Sequence, residues 1–326
     1  MRWITKSLFW LGVVSAVVLL LARGAAFLRE GDPRAAILPP EGRLVETSEG
    51  AIFVLEEGPV DAPMLLFAHG TAAWSGLWAP TLKEMSAEGW RAVAFDMPPF
   101  GFSDHALDRD YARTRQAERI RALVKALGVK PILVAHSVGA APGVEAVMQD
   151  PSAFAALIVV DGALGLGAHE KNESLPFILR LEPIREAATA LTMTNPWLTR
   201  VFLRGLIHVK EAASDEVVGV LTRPFEREGT TAAYSDWLPS LLVPPQDALS
   251  TRKENYAALT LPVVYMWGEE DTVTPVDQAF ALNAATPGSE LVLMPDLGHI
   301  PQIEDPDAFL LALELALGLI ADQSAQ

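Results

Sequence analysis

The chain has 326 residues, half of them hydrophobic, which is enough for one large domain with an insertion or for two domains. It contains no cysteine, so disulfides, thiolate nucleophiles and cysteine-ligated zinc or iron–sulfur sites are excluded. The formal net charge is −16, and a surface this acidic repels phosphate backbones, so we do not expect a nucleic acid as partner.

The amino terminus departs from this acidic composition. Leu8 to Ala22 carries no charge, and basic residues lie on both sides of the run. Such a run fits the apolar core of a secretory signal, and with its neighbours it is long enough to span a bilayer. Residues 1–30 are therefore expected to be a membrane anchor, or a signal segment whose cleavage would export the protein. Arg23 precedes the small residues of a possible cleavage site, which favours the uncleaved anchor.

The body of the chain alternates between strand and helix patterns. Residues 32–42 are typical of a linker, and residues 43–57 predict an antiparallel hairpin. Short, continuous apolar runs then recur, and each predicts a strand buried on both faces. These strands are expected at 63–68, 90–95, 130–136, 156–160, 261–267 and 290–294. Helices are expected at 78–88, 111–127, 139–148 and 306–320, with another starting near Pro275. The alternation predicts an α/β fold with a mostly parallel, doubly wound sheet.

One stretch interrupts this alternation. Residues 164–259 contain helical patterns at 175–191, 197–209 and 214–221, but no strand pattern. An insertion at this place is expected to fold over the carboxyl edge of the sheet as a helical cap. The α/β core would then comprise residues 43–163 and 260–321, and the apolar residues of the cap would suit a hydrophobic ligand.

Ser137 lies at the tightest turn that the pattern predicts. An apolar strand ends at His136, and a helix of small residues begins at Gly139. A serine in such a turn is held beyond the end of the strand, in the geometry of the nucleophile elbow written G-x-S-x-G. Ala135 replaces the first glycine of that pattern and adds one methyl group.

A serine hydroxyl is a poor nucleophile unless a histidine removes its proton, and the histidine needs a carboxylate to orient it. Asp271 and His299 follow the last two predicted strands, at the edge of a parallel sheet where catalytic groups gather. Two other carboxylates remain alternatives for the orienting acid: Glu270, which is adjacent, and Asp161, which ends a neighbouring strand.

Five motifs occur in a fixed order, each at a predicted strand end. They are His69-Gly70, Asp96-x-Pro-x-x-Gly-x-Ser103, Ala135-His136-Ser137-Val138-Gly139, Gly268-Glu269-Glu270-Asp271-x-x-x-Pro275 and Gly298-His299-Ile300-Pro301-x-x-Glu304-x-Pro306. From about residue 43 to residue 317 the sequence resembles the α/β-hydrolase superfamily, among its serine-nucleophile, esterase- or lipase-like members with a helical cap.

The resemblance implies a role for each matching residue. Ser137 would be the nucleophile, His299 the general base and then acid, and Asp271 the residue that orients His299. The backbone N–H groups of Val138 and Thr71 would form the oxyanion hole. Donors of this kind contribute about 2.7–4 kcal/mol each to transition-state stabilisation.

Other residues of the motifs are expected near the substrate or in support of the loops. Gly70, Trp74 and His136 are candidates for substrate contact, and ordinary packing is the alternative for the two aromatic side chains. Asp96 and Ser103 are expected to brace their loop by hydrogen bonds. The sequence has no dinucleotide fingerprint and no metal-ligand cluster, so it implies no cofactor and no metal.

The expected function is hydrolysis of an ester or related acyl bond in a small or lipid-like substrate, through an acyl-enzyme. Amide or carbon–carbon bond hydrolysis and a cofactor-free peroxidase-like activity remain open within the same fold. A non-catalytic ligand-binding module is an alternative from another class. The N-terminal segment implies contact with a membrane, and the sequence does not indicate an oligomeric state.

Overall fold

The computed structural model describes residues 2–171, 174–243 and 245–324. Within them, eight strands form one sheet. They are β1 (Gly42–Thr47), β2 (Gly50–Glu57), β3 (Met64–Ala68), β4 (Arg91–Phe95), β5 (Ile132–His136), β6 (Ala156–Val160), β7 (Val263–Gly268) and β8 (Glu290–Met294).

Helices precede, separate and follow these strands. They are α1 (Arg2–Arg29), α2 (Arg34–Ile37), α3 (Ala79–Ala87), α4 (Arg113–Leu127), α5 (Ala140–Gln149), α6 (Glu182–Leu191), α7 (Pro196–Leu206), α8 (Asp215–Thr222), α9 (Thr230–Leu242), α10 (Asp277–Ala285), α11 (Pro301–Glu304) and α12 (Pro306–Ser324). Short 3₁₀ turns include Ser137–Gly139 and Phe177–Arg180.

The sheet order is β1-β2-β4-β3-β5-β6-β7-β8. The predicted hairpin is present as the antiparallel pair β1–β2, and β2 is also antiparallel to β4. All pairings from β4 through β8 are parallel. The mostly parallel α/β sheet that the alternating pattern predicts is therefore confirmed.

Both faces of the sheet are covered, which is why its central strands are mostly apolar. Every residue of β3 to β7 is buried. One core cluster joins a sheet face to α4, α5 and α10, and the other joins the opposite face to α3 and α12. The carboxyl ends of the parallel strands consequently converge on one edge.

Between β6 and β7 the described residues form α6 to α9 and several 3₁₀ turns, and no strand. One helix predicted over 175–191 is wrong, because the chain breaks at Leu181 between a 3₁₀ turn and α6. Pro183 occupies the first turn of α6, where its missing N–H is tolerated but would interrupt a longer helix. Helix α9 was not predicted, since Pro239 lies inside it.

The last part of helix α1 packs on this insertion. Phe9–Arg29 is, in the described part of the chain, the one helix long and apolar enough to cross a membrane. At its far end Arg23 Nε donates to Glu186 Oε2 over 2.8 Å, and Ala26 is fully buried. The carboxylate of Glu30 accepts the backbone N–H of Thr231 at 3.1 Å.

The predicted linker that follows α1 is attached to its surroundings. Asp32 pairs with the backbone of the insertion, accepting the N–H of Glu228 at 2.8 Å and donating to Glu226 at 3.2 Å. Arg34 then donates to Asp104 Oδ1 at 2.5 Å, on the loop that follows β4. This segment, Glu30 to Arg34, therefore connects α1, the insertion and the sheet domain.

Candidate active site

The turn after β5 places Ser137 in a strained position. Its φ is +53°, in the left-handed region that residues with side chains rarely adopt. A β-carbon at Gly139 would collide with the carbonyl oxygen of His69, so only glycine allows the turn to approach the end of β3. The serine is thereby held at the carboxyl edge of the sheet.

Gly143 on the following helix leaves room for Ala135 at the start of the elbow. A β-carbon at Gly143 would lie 3.1 Å from the β-carbon of Ala135. That separation is tighter than ordinary van der Waals contact, so the two positions cannot both carry a relaxed methyl group. The glycine on α5 accommodates the alanine that replaces glycine in the elbow.

Three side chains from three loops form a continuous hydrogen-bonded chain. Ser137 Oγ lies 2.7 Å from His299 Nε2, and His299 Nδ1 lies 2.8 Å from Asp271 Oδ2. The exposed fractions of Ser137, His299 and Asp271 are 5%, 3% and 4%. In this arrangement the imidazole can accept the proton of the serine while its other nitrogen donates to the carboxylate.

The carboxylate of Asp271 is held ionised by several donors. Oδ1 accepts the backbone N–H groups of Val273 and Thr274 at 2.7 and 2.9 Å, and Oδ2 accepts the Thr274 hydroxyl at 2.6 Å. Burial alone would raise the pKa of Asp271, but the hydrogen bonds from His299 and Thr274 lower it below its usual value. Sequence reasoning missed Thr274, because a hydroxyl three residues after an acid is a common pattern.

The two alternative acids occupy other environments. Glu270 is half exposed, and its carboxylate lies 3.9 Å from His208 Nδ1. Asp161 is fully buried and accepts the backbone N–H of Gly268 at 2.8 Å. Burial, and then the charge of Asp271, raise the pKa of Asp161 well above its usual range. The carboxylate that contacts His299 is that of Asp271.

The loop after β3 presses against the elbow. A β-carbon at Gly70 would lie 2.9 Å from the β-carbon of Ser137 and 3.0 Å from His136 Nδ1. Thr71 follows Gly70 in this loop, and Val138 follows Ser137. The loop that carries Thr71 and the turn that carries Val138 therefore meet at the serine.

His136 lies beneath this junction as a neutral ring. Its Nε2 and the carbonyl oxygen of His299 are 2.8 Å apart. Burial, assisted by the neighbouring His299, lowers the pKa of His136 to about 3. Because a carbonyl oxygen can only accept, Nε2 carries the proton of the neutral ring and donates. The ring thus fixes the backbone of the catalytic candidate His299, and its 2% exposure leaves little surface for a ligand.

Trp74 packs between the sheet domain and the insertion. Its side chain is 2% exposed and stacks against Phe53 and Phe102, and its indole N–H donates to the carbonyl oxygen of Val220 at 2.7 Å. Both its ring and its N–H are used in packing, and substrate contact by this residue stays a prediction. It joins the sheet domain to α8 of the insertion.

The loop after β4 is braced as its motif suggests. Asp96 Oδ1 accepts the backbone N–H of Ser75, and Oδ2 accepts that of Phe102, both at 2.6 Å. The hydroxyl of Ser103 donates to the Asp96 carbonyl oxygen at 2.6 Å and accepts the N–H of Phe53. These contacts fix the loop beside the elbow.

Glu304 holds the loop that carries His299. Its Oε1 accepts the N–H of Ile300 at 2.9 Å, and Oε2 accepts that of Gly298 at 3.1 Å. Oε2 also accepts two amides of the insertion, from His208 at 2.7 Å and Val209 at 2.9 Å. The motif contains this glutamate, but no sequence pattern indicated that it reaches the insertion.

A cavity of about 370 Å³ adjoins the elbow. Val138 and Thr274 line it on the side of the catalytic candidates, and Trp237, Leu241 and Leu242 of α9 line it on the side of the insertion. Its walls are mainly apolar, as expected for a ligand with hydrocarbon parts. In the described residues, no group of three or more histidine, aspartate or glutamate side chains is placed to bind a metal.

Similar proteins were found by sequence. The protein named putative hydrolase LipZ, from Mycobacterium tuberculosis, is 25% identical over 295 residues, which cover 86% of this chain and 96% of LipZ. A haloalkane dehalogenase of Psychrobacter cryohalolentis is 31% identical over 156 residues, covering 45% of this chain and 52% of the dehalogenase.

Similar folds were found among solved structures. A membrane phospholipase A described as a bacterial virulence factor superposes with a TM-score of 0.66 and 20% identity, covering 98% of this chain and 99% of that one. The BphD hydrolase of a Rhodococcus strain superposes with a TM-score of 0.67 and 19% identity, covering 85% and 98%. At these identities the likeness concerns the fold.

The family model for the alpha/beta hydrolase fold matches residues 63–306. This range begins just before β3 and ends where α12 starts, so it contains the serine, the acid and the histidine together with the insertion. The sheet order, the family match and the hydrolases among the relatives agree. The chain belongs to the alpha/beta hydrolase family and is a hydrolytic enzyme.

Proposed function

We propose that the protein is a serine hydrolase that cleaves an ester or related acyl bond through a covalent acyl-enzyme. The observation that carries the proposal is the unbroken chain of hydrogen bonds from Ser137 through His299 to Asp271. As Ser137 Oγ attacks the acyl carbon, its proton passes to His299 Nε2, and the carbonyl oxygen becomes an oxyanion. His299 then gives that proton to the leaving alcohol.

Deacylation repeats these steps with water. His299 removes a proton from a water molecule, whose oxygen attacks the acyl carbon. The bond from that carbon to Ser137 Oγ then breaks, the acid leaves, and His299 returns the proton to Ser137 Oγ. Asp271 stays ionised throughout and stabilises the imidazolium. The oxyanion would be bound by the backbone N–H groups of Val138 and Thr71, for which the contact between Gly70 and the elbow is the structural support.

The substrate we propose has a lipophilic acyl chain. Support comes from the apolar walls of the cavity, where Val138 stands next to the nucleophile and α9 forms the opposite wall. One protein of similar fold is named a membrane phospholipase A, and that name concerns the relative. The same residues could also cleave an amide bond, or the carbon–carbon bond to an acyl carbon.

We further propose that α1 is retained as a membrane anchor. Cleavage at the small residues after Arg23 would remove the ion pair with Glu186 and could remove the buried Ala26. A segment that the folded insertion uses in this way fits an uncleaved helix better than a discarded signal.

The test is covalent labelling with a fluorophosphonate probe. Wild type should be labelled, and Ser137→Ala should lose both labelling and at least about 10⁴-fold of ester hydrolysis, as removal of a nucleophile does in such triads. Ser152→Ala, at an exposed serine, is the matched control and should keep both. Equal labelling of wild type and Ser137→Ala would overturn the proposal.

A chain-length series of aryl esters, with matched amides, identifies the preferred bond and acyl group. We expect kcat/KM to rise with chain length among the esters. Tight binding of these ligands without turnover would instead indicate a binding module.

A further inference from the structure

Helix α1 presents one face to the insertion, and that face begins part-way along the helix. Leu19, Ala22 and Arg23 are partly covered, and Ala26 and Glu30 are buried. Their spacing places them on one side of a helix. From Phe9 to Val18, by contrast, every position except Val13 is exposed. The helix therefore has a free apolar part and a docked part.

The length of the free part fixes the level of a bilayer. Residues 2–18, up to the start of the docked part, rise about 26 Å at 1.5 Å per residue, which nearly fills the roughly 30 Å thickness of a hydrocarbon core. The ion pair between Arg23 and Glu186 belongs outside that core, because charged groups are expensive to place in hydrocarbon. The surface of the bilayer consequently lies between Val18 and Arg23.

The direction of α6 shows which part of the insertion meets that surface. Arg23 contacts Glu186, and further along α1 the carboxylate of Glu30 contacts Thr231. Thr231 also bonds Thr194, which follows the end of α6, so α1 and α6 run in the same direction. The start of α6 thus lies about 6 Å closer to the bilayer than Glu186.

The segment at this position is apolar and exposed. Phe177, Ile178 and Leu181 are 75%, 57% and 45% exposed. We call these three residues the cap-edge patch. Arg180 stands among them as an exposed basic residue, in a chain whose net charge is −16. Apolar side chains with a neighbouring arginine suit the boundary between acyl chains and phosphate head groups.

We propose that the cap-edge patch inserts into the interface of the bilayer that α1 spans. The insertion then contacts the membrane at two places, through α1 and through the turn before α6. With α1 alone, the body could swing on its anchor; the second contact fixes one edge of the insertion against the lipid.

The same geometry places exposed residues of the cavity wall at this edge. Arg109 bonds both Glu182 at the start of α6 and Asp236 in α9, so α9 runs antiparallel to α6. Leu241 and Leu242 follow about 9 Å further along α9, in the direction of the bilayer. They line the cavity and are 44% and 42% exposed. Entry of a lipid chain from the bilayer would rest on the function proposed above.

The chain lacks cysteine, which makes a site-specific test direct. Ile178→Cys and Val60→Cys are each labelled with an NBD fluorophore, and the full chain is reconstituted into phosphatidylcholine–phosphatidylglycerol vesicles. Val60 is 67% exposed and precedes β3, at the opposite edge of the sheet. We expect a blue-shifted emission that doxyl lipids quench at position 178 and a water-like emission at position 60. A water-like emission at both positions would overturn the proposal.

A second measurement separates the surface from the chemistry. The triple variant Phe177→Ser, Ile178→Ser, Leu181→Ser should lose at least about tenfold in kcat/KM towards a long-chain ester embedded in vesicles. Its kcat/KM towards a soluble short-chain ester should stay within about twofold of wild type. An equal loss on both esters, or on neither, would contradict substrate entry at the membrane. If the proposed hydrolysis fails, wild type turns over neither ester, and the fluorescence result still stands.

Discussion

Ala135 and Gly143 form a compensating pair at the elbow. The alanine adds a methyl group where the elbow pattern has glycine, and the absence of a side chain on α5 leaves room for it. The pattern can therefore tolerate alanine at its first position in this chain for a local steric reason.

A double-mutant cycle measures this compensation. Gly143→Ala should destabilise the protein by about 1–2 kcal/mol, because overpacking outweighs the gain in helix propensity. In an Ala135→Gly background part of that loss should disappear, giving a coupling energy of about 1 kcal/mol in urea denaturation. Gly205→Ala in α7, where no atom lies within 4 Å of an added β-carbon, is the control and should be neutral or stabilising. Additive effects of the two elbow substitutions would contradict the pairing.

Single residues also mark the limits of prediction from sequence. Ser137, Asp271 and His299 could be found because each follows a strand and their order is distinctive. Thr274 and Glu304 could not be assigned, since their contacts depend on how loops fold onto one another. Trp74 could be named as a candidate for substrate contact or for packing, but its packing partners lie on segments that are distant in the sequence.

Among the elements, the loop between β8 and α11 depends on a single carboxylate. Glu304 receives four backbone N–H groups, two from the loop of His299 and two from the insertion. These donors have few other partners in a buried environment, so loss of the carboxylate leaves them unsatisfied.

Glu304→Gln should therefore lower the free energy of unfolding by about 1–3 kcal/mol. The neutral side chain of glutamine is a weaker acceptor than a carboxylate, and it turns its own N–H groups towards the four backbone N–H groups. The proposed hydrolysis should fall as His299 loses its fixed position. Urea denaturation and ester kinetics measure the two effects. Glu314→Gln, at an exposed position of α12, is the control. A variant as stable and active as wild type would refute this role for Glu304.

Strand and helix periods predicted the sheet well, because its strands are buried on both faces and its helices cover them. The insertion was harder to predict. Its helices are short, 3₁₀ turns and prolines interrupt them, and α9 contains Pro239. Such helices are held by tertiary contacts such as the Arg109–Asp236 pair, which local sequence does not indicate.

At the scale of the whole molecule, a buried histidine links stability to pH. His105 Nε2 is buried, and in the described part of the chain it has no hydrogen-bond partner. Burial first, and then the charges of Arg227 and Arg34, lower the pKa of His105 to about 3. The unfolded chain binds a proton at His105 near pH 6.5, whereas the folded chain does not. This site therefore lowers the free energy of unfolding as pH falls below 6.5.

His105→Leu removes that proton uptake. Between pH 7 and pH 5, wild type should lose about 2 kcal/mol more stability than the variant. The measurement is the urea midpoint followed by tryptophan fluorescence at both pH values. Its absolute values will include other titrating groups, but the difference between the two proteins isolates this site. Parallel loss of stability in both would contradict the assignment.

Helix α1 is attached to the insertion, and the sheet domain is reached from it through Glu30 to Arg34. If the helix is held in a bilayer, the insertion becomes the stationary part of the enzyme, and the sheet with its serine becomes the part free to move. The cavity would then open when the sheet domain swings away from the stationary insertion. The contacts that such a swing must break include the pair between Arg34 and Asp104.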